Sequence, residues 1–189
     1  MKILEDRIRK DGIITENEIV KVDSFINHQV DPVLYDQMAD EFIAHFKDKK
    51  INKVVTIESS GIAMALAVAR KLNVPFVFAK KTESVNLHGD VYSAKIISYT
   101  HFREYDVIVS KKFLNEDDHV LILDDFLANG SALRGLLSIC KQAGAKVSGI
   151  GIIIEKTWQR GGKELRAQGY EIESLAKIKN ITENEVEFD

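Results

Sequence analysis

From Val120 to Ala132 an apolar run, Val120 to Leu123, meets two adjacent acids, Asp124 and Asp125, and then a turn of small residues, Ala128, Asn129, Gly130, Ser131 and Ala132. Two neighbouring carboxylates repel each other, which is tolerable where sugar hydroxyls or a hydrated Mg2+ lie against them. Beyond the turn, Leu133, Leu136, Leu137 and Cys140 recur at three- and four-residue steps, the mark of one helix face. The turn is therefore a helix N-terminus, whose free N–H groups and positive dipole end suit a phosphate. A plain strand-turn-helix with an acidic cap explains the same letters less completely. The paired acids, the Asn-Gly-Ser turn and the buried-type strand in this order favour a sugar-phosphate site.

A second cluster, Glu58-Ser59-Ser60-Gly61, also stands after an apolar run and before a helical pattern. Successive N–H groups in such a loop form an anion-binding nest, although Ser59 as a helix cap with Gly61 easing the turn is the simpler alternative. Lys80 and Lys81 end the next apolar run and could neutralise a diphosphate; surface lysines at strand ends are otherwise merely solvated. Lys156 follows the apolar run Ile152 to Glu155 and could reach the same crevice with its ammonium, or else snorkel to solvent.

The elements that must position these groups alternate along the chain. Ile3, Leu4 and Ile8 predict an amphipathic helix broken by Gly12, and Glu18 to Ile26 an irregular arm ending near Asn27 and His28. Asp31-Pro32 opens a helix with Leu34, Met38, Phe42 and His45 or Phe46 on one face. Lys53 to Ile57, Ser60 to Leu72 and Phe76 to Lys80 predict one β-α-β unit; Val120 to Leu123, Ser131 to Ala143 and Val147 to Glu155 predict another, with Gly144 as the helix stop. The fold class is α/β, a twisted, mostly parallel sheet flanked by helices. Ligands of such sheets sit outside the carboxyl ends of the strands. Between Lys81 and Phe113 the weak alternation of Val91 to Tyr99 and Tyr105 to Ser110 predicts a protruding β-ribbon or flexible loop, or equally an ordinary edge hairpin. The acidic stretch Lys179 to Asp189 reads as a short strand or tail without chemistry.

Composition sets bounds. The 189 residues, 45% of them hydrophobic, suit one well-buried domain spanning 1–189. A net charge of −3 without a Lys/Arg block gives no footprint for nucleic acid. Cys140, the only cysteine, sits on a helix face as a small buried hydrophobe, and a reducing cytoplasm fits. The first ten residues lack a signal-peptide core and no apolar run approaches ~18 residues, so no membrane partner is expected. His28, His45, His88, His101 and His119 are too scattered for a metal site, and none is assigned.

The segment from Val120 to Ala132 resembles the phosphoribosyl-pyrophosphate motif of type I phosphoribosyltransferases: four apolar residues, two acids and a Thr-Gly-x-Thr-like turn. It departs where Asn129 replaces the usual Thr and Ala132 a frequent hydroxyl residue, which leaves the backbone cradle intact. Lys21 to Pro32, Thr56 to Ile62 and Gly149 to Lys156 are similar to the xanthine-using purine enzymes of that family, and the resemblance covers nearly the whole chain. It implies a type I phosphoribosyltransferase fold with an N-terminal hood over 1–35 and a flexible loop over 81–113 that closes on the reacting centre. It also implies transfer of the 5-phosphoribosyl group from phosphoribosyl pyrophosphate to xanthine, in purine salvage, giving xanthosine 5′-monophosphate and pyrophosphate. Asp124 and Asp125 would then serve the ribose, Ala128 to Ala132 its phosphate, and Glu58 to Gly61 with Lys80 and Lys81 the diphosphate. Lys156 and Asn27 would contact the purine edge and Val20 would line its pocket. Phe126 or Trp158 is placed to stack, Phe126 having the better position beside the acids. Mg2+ would come mainly with the donor, and the chain would form a homodimer. The competing readings are the same transfer to hypoxanthine, guanine or another base, or a regulator that keeps the fold as a ligand sensor.

Overall fold

In the computed structural model, residues 1–15, 19–82, 90–98, 103–182 and 185–189 are described. Glu18, the segment 83–89 with His88, and the segment 99–102 with His101 lie outside the described residues.

Helix α1, Lys2–Asp11, buries Leu4 and Ile8 and ends at Gly12, as the spacing predicts. The arm after it is more regular than its sequence suggests. Strands β1, Ile13–Thr15, and β2, Ile19–Lys21, pair antiparallel, and one turn of π-helix follows over Asp23–Asn27. Helix α2, Pro32–His45, starts where Asp31 accepts hydrogen bonds from the N–H groups of Val33 and Leu34 with Pro32 in the first turn. The Leu34 bond heads the causes that hold the Asp31 carboxyl below its ordinary range, ahead of the hydrogen bond and charge of Arg7 and then the Val33 bond.

Strand β3, Lys53–Ile57, helix α3, Gly61–Leu72, and strand β4, Phe76–Thr82, form the first parallel unit. Strands β5, Val91–Ser98, and β6, Arg103–Ser110, form an antiparallel hairpin in which β6 pairs with β4. Over its described residues the predicted ribbon is thus an edge hairpin of the main sheet. Its side chains Ile96, Val107 and Val109 belong to the core, and a Cβ on Gly135 would lie 2.6 Å from Ile96, so the ribbon lies directly on the next helix. Lys81 and Thr82 belong to β4 rather than to a loop beginning at residue 81, because β6 supplies partners for Lys80, Lys81 and Thr82.

Strand β7, His119–Leu127, helix α4, Ser131–Ala143, strand β8, Lys146–Lys156, helix α5, Arg160–Ala167, and strand β9, Ile172–Ile181, repeat the crossover; β10, Val186–Phe188, returns antiparallel to β9. Gly130 at φ +82° and Gly144 at φ +71° bracket α4 in the left-handed region that favours glycine. The sheet order is β10-β9-β8-β7-β3-β4-β6-β5. One apolar layer joins α1, α2, α3 and the arm to one face; the other joins α4, Leu165 of α5 and the hairpin to the opposite face. Cys140 is buried in that second layer, and burial, with Asp118 adding, pushes its thiol up to about 12. It is an inert core group, as its position predicts.

Candidate active site

The chain leaves β3 toward β4 on one side and later adds β7, β8 and β9 on the other, so the carboxyl ends of β3 and β7 flank the switch point of the sheet. The β3/β7 ladder runs from Lys53 opposite Val120 to Val55 opposite Ile122, whereas β7 continues against β8 as far as Leu127 opposite Glu155. This corrects the sequence-based placement of Asp124 and Asp125 beyond the strand. They lie within β7, on the stretch that has outrun its β3 partner, because β8 goes on supplying backbone partners there. Asp124 is 3% exposed and Asp125 is half-buried.

The two acids address different walls. Asp125 acts on the phenol of Tyr35, on α2, while Asp124 acts on that of Tyr105, on β6; in both tyrosines burial is the larger cause that pushes the hydroxyl up. The Asp124 carboxyl is itself pushed well above its ordinary range, first by burial and then by the charge of Asp125, against the N–H of Asp125, which donates to Oδ1 at 3.0 Å, and the charge of Lys81. Lys81 Nζ stands 5.3 Å from the centre of the Tyr105 ring. Lys81, Tyr105 and Asp124 therefore form one wall of the crevice.

The Glu58 to Gly61 loop adjoins the acids at the same sheet edge. Gly61 opens α3, and a Cβ there would lie 1.9 Å from Thr56 Oγ1 and 3.6 Å from the Leu123 carbonyl oxygen, so only glycine lets the loop settle between β3 and β7. Glu58 is tied back, its Oε1 accepting from the Lys81 N–H at 2.6 Å, while its own N–H donates to the Ala79 carbonyl. The Glu58–Ser59 peptide is cis. Ser60 stands at the cap position of α3 without a side-chain capping bond. Ser59 is exposed and Lys80 projects from β4 into solvent.

The turn from Ala128 to Ala132 is built by groups that sequence reading missed. Asn129 Oδ1 accepts from the Ser131 N–H at 3.0 Å, so the residue standing in for Thr shapes the turn. Arg134 donates to the Asn129 carbonyl at 2.6 Å and to Glu164 at 2.5 Å. Gly161 N–H donates to the Ala128 carbonyl at 3.1 Å, and a Cβ on Gly161 would lie 2.5 to 2.6 Å from three backbone atoms of the turn. Helix α5 thus presses its first residues onto the turn. Two consecutive glycines at a helix start, Gly161 and Gly162, were the available signal for so close an approach.

Lys156 closes β8, one residue past the Glu155–Leu127 pair, with its Nζ 5.5 Å from the Trp158 ring centre. Glu155, 2% exposed, is gripped by Arg166 at 2.6 and 2.7 Å and by the Ser174 hydroxyl. Burial alone would push its carboxyl up; these bonds and the Arg166 charge hold it below its ordinary range. Phe126 is half-buried and packs on the core layer that contains Val20, Val22, Phe25 and Ile26. Val20 is 4% exposed and Asn27 is exposed on the π-turn. Phe126 thus shares an apolar layer with the hood and α2, and Lys156 stands beside Trp158 at the end of the neighbouring strand β8. Among the described residues no group of three or more His, Cys, Asp or Glu is arranged to hold a metal, and no helix is long and apolar enough to cross a membrane.

Comparison with known proteins agrees with this geometry. The phosphoribosyl transferase domain model matches residues 34–187. The xanthine phosphoribosyltransferase of Finegoldia magna is 57% identical over 189 residues, covering 100% of both chains. That of Bifidobacterium adolescentis is 52% identical over 182 residues, 96% of this chain and 94% of that protein. Among solved structures, APRTase from Giardia lamblia complexed with 9-deazaadenine superposes with a TM-score of 0.75 at 25% identity, covering 94% of this chain and 98% of that one. Paired acids on β7, a glycine-braced turn after them and a second loop at the same switch point, in a chain so similar along its length to these enzymes, make it a member of the phosphoribosyltransferase family, among the relatives named xanthine phosphoribosyltransferase.

Proposed function

We propose that this chain transfers the 5-phosphoribosyl group of phosphoribosyl pyrophosphate to xanthine, forming xanthosine 5′-monophosphate and pyrophosphate in purine salvage. The observation that carries the reading is the meeting, at one switch point, of the acid pair with two loops suited to phosphate. Full-length similarity to xanthine phosphoribosyltransferases supports the choice of acceptor.

In this reading the Ala128 to Ala132 turn holds the 5-phosphate with backbone N–H groups at the start of α4. The Glu58 to Gly61 loop, with Lys80 and Lys81, receives the diphosphate through Ser59, Ser60 and backbone groups, since Glu58 is already engaged with β4. Asp124 and Asp125 accept from the ribose diol and stabilise positive charge on the anomeric carbon as its bond to the diphosphate breaks. A purine ring nitrogen then bonds to that carbon from the opposite face, with inversion, and the proton the base gives up passes to water. Lys156 donates to an exocyclic carbonyl of the base, Asn27 reads its edge as donor and acceptor, and Val20 and Phe126 supply the apolar wall.

Mg2+ would fit this site as a companion of the substrate: Asp124 and Asp125, with no cluster of three or more potential ligands among the described residues, would suit an ion brought mainly by the donor and water. When bound it neutralises charge on the leaving diphosphate. The chain acts as one domain, with residues 1–35 as a hood over the base and the ribbon that follows β4 shielding the sugar cation from water. It works in the cytoplasm as a homodimer.

Two variants test the assignment. Lys156→Ala is expected to raise KM for the base and leave that for the donor unchanged, whereas equal losses on both would remove Lys156 from the base pocket. Gly130→Val, at φ +82°, is expected to abolish donor binding in a folded protein; unchanged donor affinity would remove the phosphate from this turn.

A further inference from the structure

Tyr35 is 2% exposed in the first turn of α2. Its hydroxyl donates to the Ile26 carbonyl at 3.2 Å. That carbonyl belongs to the same peptide unit as the N–H of Asn27, so the hydrogen bond grips the backbone from which the Asn27 side chain springs. The π-turn has other ties: the N–H groups of Phe25, Ile26 and Asn27 converge on the Val22 carbonyl, and the Asp31 N–H donates to the Phe25 carbonyl. Arg7 adds a cation–π contact 5.2 Å from the Phe25 ring centre and an ion pair with Asp31. These ties hold the turn to itself, to the start of α2 and, through Arg7, to α1. The Tyr35 hydroxyl adds a side-chain tie from the buried face of α2 to the peptide that carries Asn27, and the charge of Asp125 also reaches this phenol.

We propose that Tyr35 is a positioning residue for base selection, setting where Asn27 stands relative to the ribose held by Asp125. The inference rests on the reading of Asn27 as a base contact and adds to it a residue that touches neither substrate. A purine is joined to the sugar at one atom, so its edge must meet Asn27 at a fixed height above the ribose. A side chain anchored to the hood at its hydroxyl and to α2 at its backbone is a rigid gauge of that height, because an aromatic ring has only two side-chain torsions. Loss of the hydroxyl should loosen Asn27 without emptying the core, since the ring of phenylalanine fills the same space.

The test is a cycle of Tyr35→Phe, Asn27→Ala and the double variant, with xanthine, hypoxanthine and guanine as acceptors and thermal unfolding as the fold control. Tyr35→Phe is expected to raise KM for xanthine about fivefold, the worth of one neutral hydrogen bond, and to narrow the preference for xanthine. Donor KM should stay unchanged. The double variant should be no worse than Asn27→Ala alone, as required if Tyr35 acts through Asn27. A Tyr35→Phe enzyme that loses melting temperature with unaltered xanthine KM, or losses that add in the double variant, would overturn the positioning role while leaving the base reading intact. An Asn27→Ala enzyme with unaltered xanthine KM would overturn the base reading and the role of Tyr35 with it.

Discussion

Gly161→Ala should injure donor use from outside the proposed substrate contacts. A Cβ at this position would stand 2.5 Å from the Ala128 carbonyl oxygen and 2.6 Å from both the Asn129 carbonyl carbon and the Gly130 nitrogen. Because these are backbone atoms, no side chain can swing aside. Opening the contact even to 3.0 Å, the lower bound of real Cβ contacts, requires the turn and α5 to part by about 0.5 Å, and an ordinary 3.4 Å contact requires about 0.9 Å. Misplacement by ~1 Å of a group that orients a substrate costs up to about 100-fold in rate. We therefore expect kcat/KM for phosphoribosyl pyrophosphate to fall about 10- to 100-fold, with xanthine KM at saturating donor unchanged. Overpacking should cost about 1 to 3 kcal/mol of stability, a fall of about 2 to 12 °C in Tm for a chain of this size. Steady-state kinetics with each substrate varied in turn, beside a melting curve, separates the effects. A protein that melts lower yet uses the donor normally would refute the claim that Gly161 sets the turn.

Other perturbations carry their own signs. The carboxyl of Asp124 titrates higher in the folded chain than in the unfolded one, so the folded state keeps a proton the unfolded state releases and stability falls as pH rises above the ordinary carboxylate value of 3.8. Asp124→Asn should remove that penalty, raising Tm at pH 7 and flattening its dependence on pH while transfer falls by about 100-fold or more; a lower Tm at pH 7 would contradict the assigned direction. Arg166→Met should leave Glu155 buried with the Ser174 hydroxyl and the charge of Lys177, and cost about 2 to 3 kcal/mol in urea unfolding, less than a fully buried pair because Arg166 is 36% exposed. Adding Glu155→Gln to that variant should recover part of the loss, and no recovery would place the cost elsewhere. Thr56 Oγ1 is buried without a hydrogen-bond partner among the described residues, so Thr56→Val should be neutral or raise Tm by a few degrees, about 2 to 4 °C per kcal/mol; a clear fall would assign the hydroxyl a partner.

The elements framing the crevice were legible where local chemistry punctuates the chain. Asp31-Pro32 announced α2 because the carboxylate caps the very N–H groups a helix start leaves unpaired. Gly130 and Gly144 bracketed α4 because each adopts a positive φ. Strand β7 was misjudged at its end. Acids read as the close of an apolar strand, yet its length is decided by β8, whose residues lie far along the chain. Helix α5 and strand β9 escaped notice for related reasons. Gly161 and Gly162 weaken the helical pattern of α5, and the alternation of β9 is broken by buried neighbours at Leu175 and Ala176. The acid pair and both loops were visible as letters. The brace of Arg134, Gly161 and Glu164 on one of them, and the tie from Glu58 to the Lys81 N–H on the other, are tertiary contacts that no local spacing encodes.

The central claim is the reaction and its acceptor. Purified protein with phosphoribosyl pyrophosphate and Mg2+ should be offered xanthine, hypoxanthine, guanine, adenine and orotate separately, with nucleotide and pyrophosphate resolved by chromatography. Xanthosine 5′-monophosphate and pyrophosphate should form in equal amounts, with xanthine preferred over the other four bases. Preferred turnover of any of the other four bases, or binding of the donor with no turnover of any base, would contradict it.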